Sequence, residues 1–176
     1  MQHKINSLRD RMKENNVDLV VLGPGTHMRW LIGFNPYPDE RPCMLLIGKD
    51  KETFLMPSVN EEGMKEKTSI TMHAWSDADG PDQALLNALS FTGSSNANHI
   101  VIDEAMRSHF ALIVIEALSN PTYEFTGSTI GALRMRKDQT EFINLKENAL
   151  IDDRAMQAGF AAIKEGVTEL EIGEAI

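Results

Sequence analysis

The sequence predicts an α/β fold, a mixed sheet with helices on both faces followed by one long helix. Short apolar runs alternate with helical periodicities along most of the chain. One pair of runs is separated only by a polar turn, which makes the sheet mixed instead of all parallel. From Asp138 onward the alternation stops, and apolar residues recur at three- and four-residue steps.

Residues 3–16 carry Ile5, Leu8 and Met12 at helical spacing and stop at Asn15-Asn16. Leu19-Val20-Val21-Leu22, closed by Gly23-Pro24-Gly25, is a strand buried on both faces. Residues 26–32 are a short helix that Gly33 ends. Pro36, Pro38 and Pro42 then remove donors and fix the backbone, so residues 34–42 form an exposed, stiffened loop. Residues 43–48 and 53–56 are strands joined by Lys49-Asp50-Lys51-Glu52 and should pair antiparallel. Residues 58–65 are a short helix, and 69–75 alternate Ile70, Met72 and Ala74 as a half-buried strand, turning His73 outward.

A helix over 82–91 points Ala84, Leu85, Ala88 and Leu89 inward, and after a Gly/Ser/Asn loop Ile100-Val101-Ile102 is a buried strand ending in Asp103. Residues 108–118 are a strongly apolar helix and 122–125 a further strand. The long helix starts at an Asp138 cap answered by Glu141, closes at Gly166 and measures about 40 Å. Phe142, Leu145, Ala149, Met156, Phe160 and Ile163 share one stripe that only Asp152 breaks. Thr168-Glu169-Leu170-Glu171 is a second capping box, and the sequence stops at Ile176, barely two turns on. That reads as the opening of a longer protein's next part. The organisation expected is a compact domain over 1–132, then a linker and the long helix over 133–176.

A hydrophobic fraction of 42% and a charged fraction of 24% fit a soluble globular protein. The net charge of −9, over half of it from Lys137 onward, opposes binding to nucleic acid or to an anionic membrane. A single cysteine, Cys43, excludes an intramolecular disulfide and fits a reducing cytoplasm; its apolar neighbours make it a core thiol. Neither a signal-peptide core nor an apolar run long enough to span a bilayer is present.

No complete active site emerges from the residues. Gly23-Pro24-Gly25 sits where a phosphate loop would, but lacks its spacing and reads as a turn. His3, His27, His73, His99 and His109 stand apart, none with a second ligand at metal spacing. Asp103-Glu104 lies at a strand's carboxyl end, where ligands gather, but no acidic pair completes it and it reads as a polar turn. Asp152 and Asp153 diverge by about 100° on a helix and cannot share an ion.

Two stretches resemble the creatinase, prolidase and aminopeptidase P family of pita-bread metallohydrolases. Residues 8–34, LRDRMKENNVDLVVLGPGTHMRWLIGF, look like its opening pattern, with Trp30 where an aromatic is common. Residues 131–176 look like the junction into its catalytic half, with Arg134, Lys137, Glu141, Ala149, Asp152, Gly166, Thr168 and Glu169 at matching places. The resemblance implies an amino-terminal domain with a mixed sheet of about six strands, and a start of the pita-bread domain over 133–176. It also implies a parent Xaa-Pro dipeptidase or aminopeptidase holding two divalent ions (Mn, Co or Zn) through two Asp, one His and two Glu. All five ligands would lie beyond Ile176, so this chain alone should bind neither ion, nor cleave proline-containing peptides.

In dimeric relatives an amino-terminal loop reaches the neighbouring subunit's substrate pocket. The matching loop is 35–42, making Tyr37, Asp39, Glu40 and Arg41 the expected substrate-access residues. Phe142, Leu145, Met156, Phe160 and Ile163 are the expected interdomain or homodimer contacts. The resemblance leaves open a metal-free peptide- or protein-binding module of the same fold, and a creatinase-type non-peptidase hydrolase.

Overall fold

The computed structural model describes residues 2–176, which fall into two compact units, one ending at Met135 and the other covering Arg136–Ile176. In the first unit, strands β1 (Leu19–Leu22), β2 (Met44–Gly48), β3 (Glu52–Pro57), β4 (Met72–Trp75), β5 (His99–Ile102) and β6 (Thr122–Phe125) form one sheet in the order β4-β3-β2-β1-β5-β6. The β2–β3 hairpin and β1–β2 are antiparallel, whereas β3–β4, β1–β5 and β5–β6 are parallel. The mixed sheet expected from the hairpin is therefore present.

Pleating divides each central strand between two cores. Val20, Leu22, Leu45, Ile47, Phe54 and Val101 face a layer containing α1 (Gln2–Glu14), α2 (Thr26–Ile32) and α3 (Ser58–Lys65). Leu19, Val21, Met44, Leu46, Ile100 and Ile102 face α4 (Asp82–Phe91) and α5 (Ser108–Ala117). Helices on both faces explain why β1 and β2 are buried at every residue.

Three details depart from the sequence reading. The fourth strand starts at Met72, because Thr68 Oγ1 accepts the Ile70 N–H (3.1 Å) and turns the chain while Ile70 enters the core. His73 does not point outward: its ring meets Phe91 edge-on at 5.5 Å, with Nε2 buried. After β6 the chain makes a 3-10 turn (Thr126–Ser128) and a short helix, α6 (Ile130–Met135), that periodicity did not reveal. Six residues are too few for a periodic signal, and α6 can approach the turn because Gly131 lacks a Cβ, which would lie 2.8 Å from the Thr126 carbonyl oxygen.

The second unit contains α7 (Gln139–Ala162) and α8 (Glu169–Ala175), both opened by the expected capping boxes, Asp138 with Glu141 and Thr168 with Glu171. The α7 helix ends four residues before Gly166. Ile163 turns extended, Val167 N–H reaches the Lys164 carbonyl (3.2 Å), and Gly166 (φ +87°) supplies the left-handed residue of the turn into α8. The apolar residues also form more than one stripe, since exposed Ile143 and Leu150 lie about 100° around from the Phe142–Phe160 line. Within α7 only Gly159 is buried, against Ile176.

Candidate functional site

Strands β1, β5 and β6 run side by side in parallel, so their carboxyl ends share one edge of the first unit. Polar residues gather there. Helix α2, which follows β1, contributes His27; the turn after β5 contributes Asp103 and Glu104; the 3-10 turn after β6 contributes Thr126; and α6 contributes Arg134.

Thr126 Oγ1 donates to both Glu104 oxygens (3.0 and 2.8 Å), and its N–H reaches Oε2 at 3.3 Å. His27 Nε2 lies 3.3 Å from both Glu104 Oε1 and Thr126 Oγ1. On the other side of the ring, Arg134 Nη1 lies 2.9 Å from Nδ1 and donates to Thr26 Oγ1 at 3.2 Å. Buried Asp103 accepts the Ala105 N–H at 2.9 Å.

The neighbouring carboxyls are driven apart. Burial pushes Asp103 above the ordinary carboxylate range, against the Ala105 N–H and the nearby imidazole. Burial also acts to raise Glu104, but bonds from its own N–H, from Thr126 and from His27 outweigh it and hold the carboxyl low.

His27, Asp103 and Glu104 offer ligand atoms within 4.8 Å of one another, a donor set suited to a divalent cation. The hydrogen-bond pattern does not fit one. Arginine has no acceptor and only donates, so Nδ1 of His27 is the acceptor and the neutral ring carries its proton on Nε2. The nitrogen facing the carboxylates thus has no lone pair for a metal, and the guanidinium beside the ring adds repulsion. The cluster is a satisfied polar junction. Reading the sequence placed Asp103-Glu104 at a strand end but did not find His27, Thr126 or Arg134 as its partners; the available signal was the parallel strand order, which gathers residues following β1, β5 and β6.

The expected access loop, residues 35–42, is pinned at several points. Arg41 forks onto Asp77 (Nε to Oδ1 3.0 Å, Nη2 to Oδ2 2.9 Å), and its N–H donates to Asp39 Oδ1 at 2.9 Å. Trp75 Nε1 donates to the Pro42 carbonyl (2.9 Å), and His109 Nε2 lies 3.2 Å from the Glu40 carbonyl. Tyr37, 84% exposed, and the Glu40 carboxylate remain outward. Cys43 is buried, and its thiol is pushed up to about 12. Phe142, Leu145, Met156, Phe160 and Ile163 are all exposed on the second unit. No helix among the described residues is long and apolar enough to cross a membrane.

Residues 4–136 match the family model for the Creatinase/Prolidase N-terminal domain. The chain is 24% identical to an Xaa-Pro dipeptidase of Lactobacillus delbrueckii over 168 residues, covering 94% of this chain and 46% of that protein. It is 26% identical to an Xaa-Pro dipeptidase of Lactobacillus helveticus over 174 residues, covering 96% and 46%. It thus spans about half the length of these curated relatives. Among solved structures, a dipeptidase from Pyrococcus horikoshii superposes with a TM-score of 0.83 at 23% identity, covering 98% of this chain and 49% of that one. The Creatinase/Prolidase N-terminal domain of an X-Pro dipeptidase from Streptococcus pyogenes gives 0.64 at 14% identity, covering 72% and 95%. With most of its length inside the family model and the same fold in both structures, the chain belongs to the creatinase/prolidase amino-terminal domain family.

Proposed function

We propose that this chain is the amino-terminal, non-catalytic part of an Xaa-Pro dipeptidase-like metallohydrolase, serving dimerisation and substrate access. The match of residues 4–136 to the amino-terminal domain family, at about half the length of Xaa-Pro dipeptidases, carries this reading. Residues 1–132 would be that domain, and 133–176 the linker and first helices of the pita-bread part. The ligands for two divalent ions (Mn, Co or Zn) belong to that further part. Phe142, Leu145, Met156, Phe160 and Ile163 are then surface that it covers.

Loop 35–42 is the access element, presenting Tyr37 and Glu40 while Arg41 and Asp39 brace it. A braced loop carries a substrate-facing group with little ordering cost, which suits a rim seated over a pocket in a homodimer. Replacing Arg41 by Ala in the longer enzyme should raise KM for Xaa-Pro dipeptides more than it lowers kcat, and unchanged kinetics would remove the loop from the mechanism.

The decisive experiment extends the coding frame beyond Ile176 and assays the longer protein. Two Asp, a His and two Glu in that order, with divalent-metal-dependent cleavage before proline, are the expected result. Lost ligands and no cleavage would overturn the hydrolase reading. The metal-free binding module would then stand in its place.

A further inference from the structure

We infer that Asp77 is the positioning residue of loop 35–42, acting through Arg41 to fix the pose in which Tyr37 and Glu40 are presented; the inference rests on the access role proposed above and names what sets the loop's place. The loop passes from one core to the other. Phe34, just before it, packs with the core of α1, α2 and α3, whereas Trp75, which holds its end, belongs to the core of α4 and α5.

Three consecutive residues of its second limb are held from that far side. His109 of α5 reaches the Glu40 carbonyl at 3.2 Å, Asp77 in the turn after β4 receives the Arg41 fork, and Trp75 of β4 donates to the Pro42 carbonyl at 2.9 Å. The first limb is tied close by in sequence, from Arg29 Nε to Asn35 Oδ1 (3.1 Å) and from Asn35 Nδ2 to the Pro36 carbonyl (2.9 Å). The holds at Glu40 and Pro42 use main-chain carbonyls, which any loop residue would offer. Only the Arg41–Asp77 hold depends on a loop side chain.

The turn that presents Asp77 is itself locked. Ser76 Oγ donates to Asp79 Oδ2 (2.6 Å), the Asp79 and Gly80 N–H groups reach the Ser76 carbonyl (3.1 and 2.9 Å), and Gly80 (φ +74°) takes the left-handed conformation that suits glycine. An exposed ion pair ordinarily contributes little, but a planar two-bond fork between a locked turn and a loop stiffened by Pro38 and Pro42 loses little freedom in forming. The bond from Arg41 also holds the Asp77 carboxyl below the ordinary carboxylate range.

Two readouts test this. On the full 176-residue chain, hydrogen exchange at the Trp75 indole, whose N–H is held by Pro42, reports the anchored limb. Asp77→Asn and Arg41→Ala should each speed it by roughly fivefold, the top of the range for an exposed pair; the double variant should go no further than either alone, and the Val101 amide in the sheet should be unaltered. In the longer enzyme Asp77→Asn should raise KM for Xaa-Pro dipeptides as Arg41→Ala does, with a smaller loss in kcat, and the charge swap of Arg41→Asp with Asp77→Arg should recover most of the rise. Indole exchange that Asp77→Asn leaves unchanged overturns the inference on this chain alone. So does a KM that rises in Arg41→Ala but not in Asp77→Asn. If both variants loosen the indole and neither moves KM, the access role falls while the anchoring of the loop by Asp77 stands.

Discussion

The apolar surface of α7 makes the most demanding prediction. Phe142, Leu145, Met156, Phe160 and Ile163 are 57, 51, 50, 65 and 60% exposed. Fully burying such a side chain stabilises by about 1.5–3 kcal/mol, so the part still in water is worth about 1 kcal/mol apiece. Two copies pairing through this stripe would gain about 10 kcal/mol and lose at least about 4 kcal/mol to association, giving a dissociation constant no tighter than tens of micromolar.

On the proposed reading, a catalytic part on the same chain would escape most of that association cost, because its effective concentration would be set by a short connection. The same surface should thus be weakly sticky in this chain and firmly covered in the longer protein. Sedimentation equilibrium from micromolar to near-millimolar chain should show the average mass rising, and Leu145→Gln with Phe160→Gln should flatten the rise. In the longer protein the same pair should lower the unfolding midpoint of the second part. A mass that stays at 19.6 kDa throughout, or a rise the substitutions leave unaltered, refutes the reasoning.

Three further predictions concern the first unit. A Cβ at Gly48 would overlap the Thr92 carbonyl oxygen and lie 3.0 Å from Thr92 Cβ, so Gly48→Ala should cost about 3 kcal/mol and lower Tm by about 10 °C; Gly63 in α3 meets open space, so Gly63→Ala should instead stabilise by about 0.5 kcal/mol in the same thermal scan. Burial lowers the His73 pKa, so the unfolded chain binds the proton more readily, and stability is full above about pH 6.5 and declines as pH falls through that value towards the depressed one. Urea midpoints at about pH 8 and about pH 5 should differ less in His73→Leu than in the unaltered chain, and an equal difference would refute the assignment. Cys43, with its thiol near 12, should be alkylated at about pH 8 roughly a thousandfold more slowly folded than unfolded, and comparable rates would mean that its strand opens readily.

Much of the fold was legible because its signals are local and redundant. Leu19-Val20-Val21-Leu22 and Ile100-Val101-Ile102 are apolar without interruption, as strands covered on both faces must be. Gly33 (φ +91°) ends α2 as its position implied, and the two capping boxes opened their helices. Errors arose where a residue answered to tertiary contacts. His73 follows period-two alternation, which turns it to a face of the sheet, but alternation could not tell that Phe91 at the end of α4 lies over it. Gly166 carries the chemistry of a helix stop, yet it serves the next turn.

The polar junction lay beyond sequence reasoning for a different reason. His27, Glu104, Thr126 and Arg134 are separated by 22 to 107 positions in their hydrogen bonds, and each has an ordinary local reading. Only the parallel order of β1, β5 and β6 makes them neighbours, because three strands pointing the same way deliver their following residues to one edge. His27, Asp103 and Glu104 lie close enough together for a metal centre, but a ligand needs a lone pair as well as proximity. Arg134 decides the matter by fixing which nitrogen can accept. Removing that arginine would free the ring to change tautomer and turn a lone pair towards Glu104, so Arg134→Met should bind Zn²⁺ or Co²⁺ more tightly than the unaltered chain. Calorimetric titration of both proteins checks this. Equal metal binding by the two would show that the guanidinium does not set the tautomer.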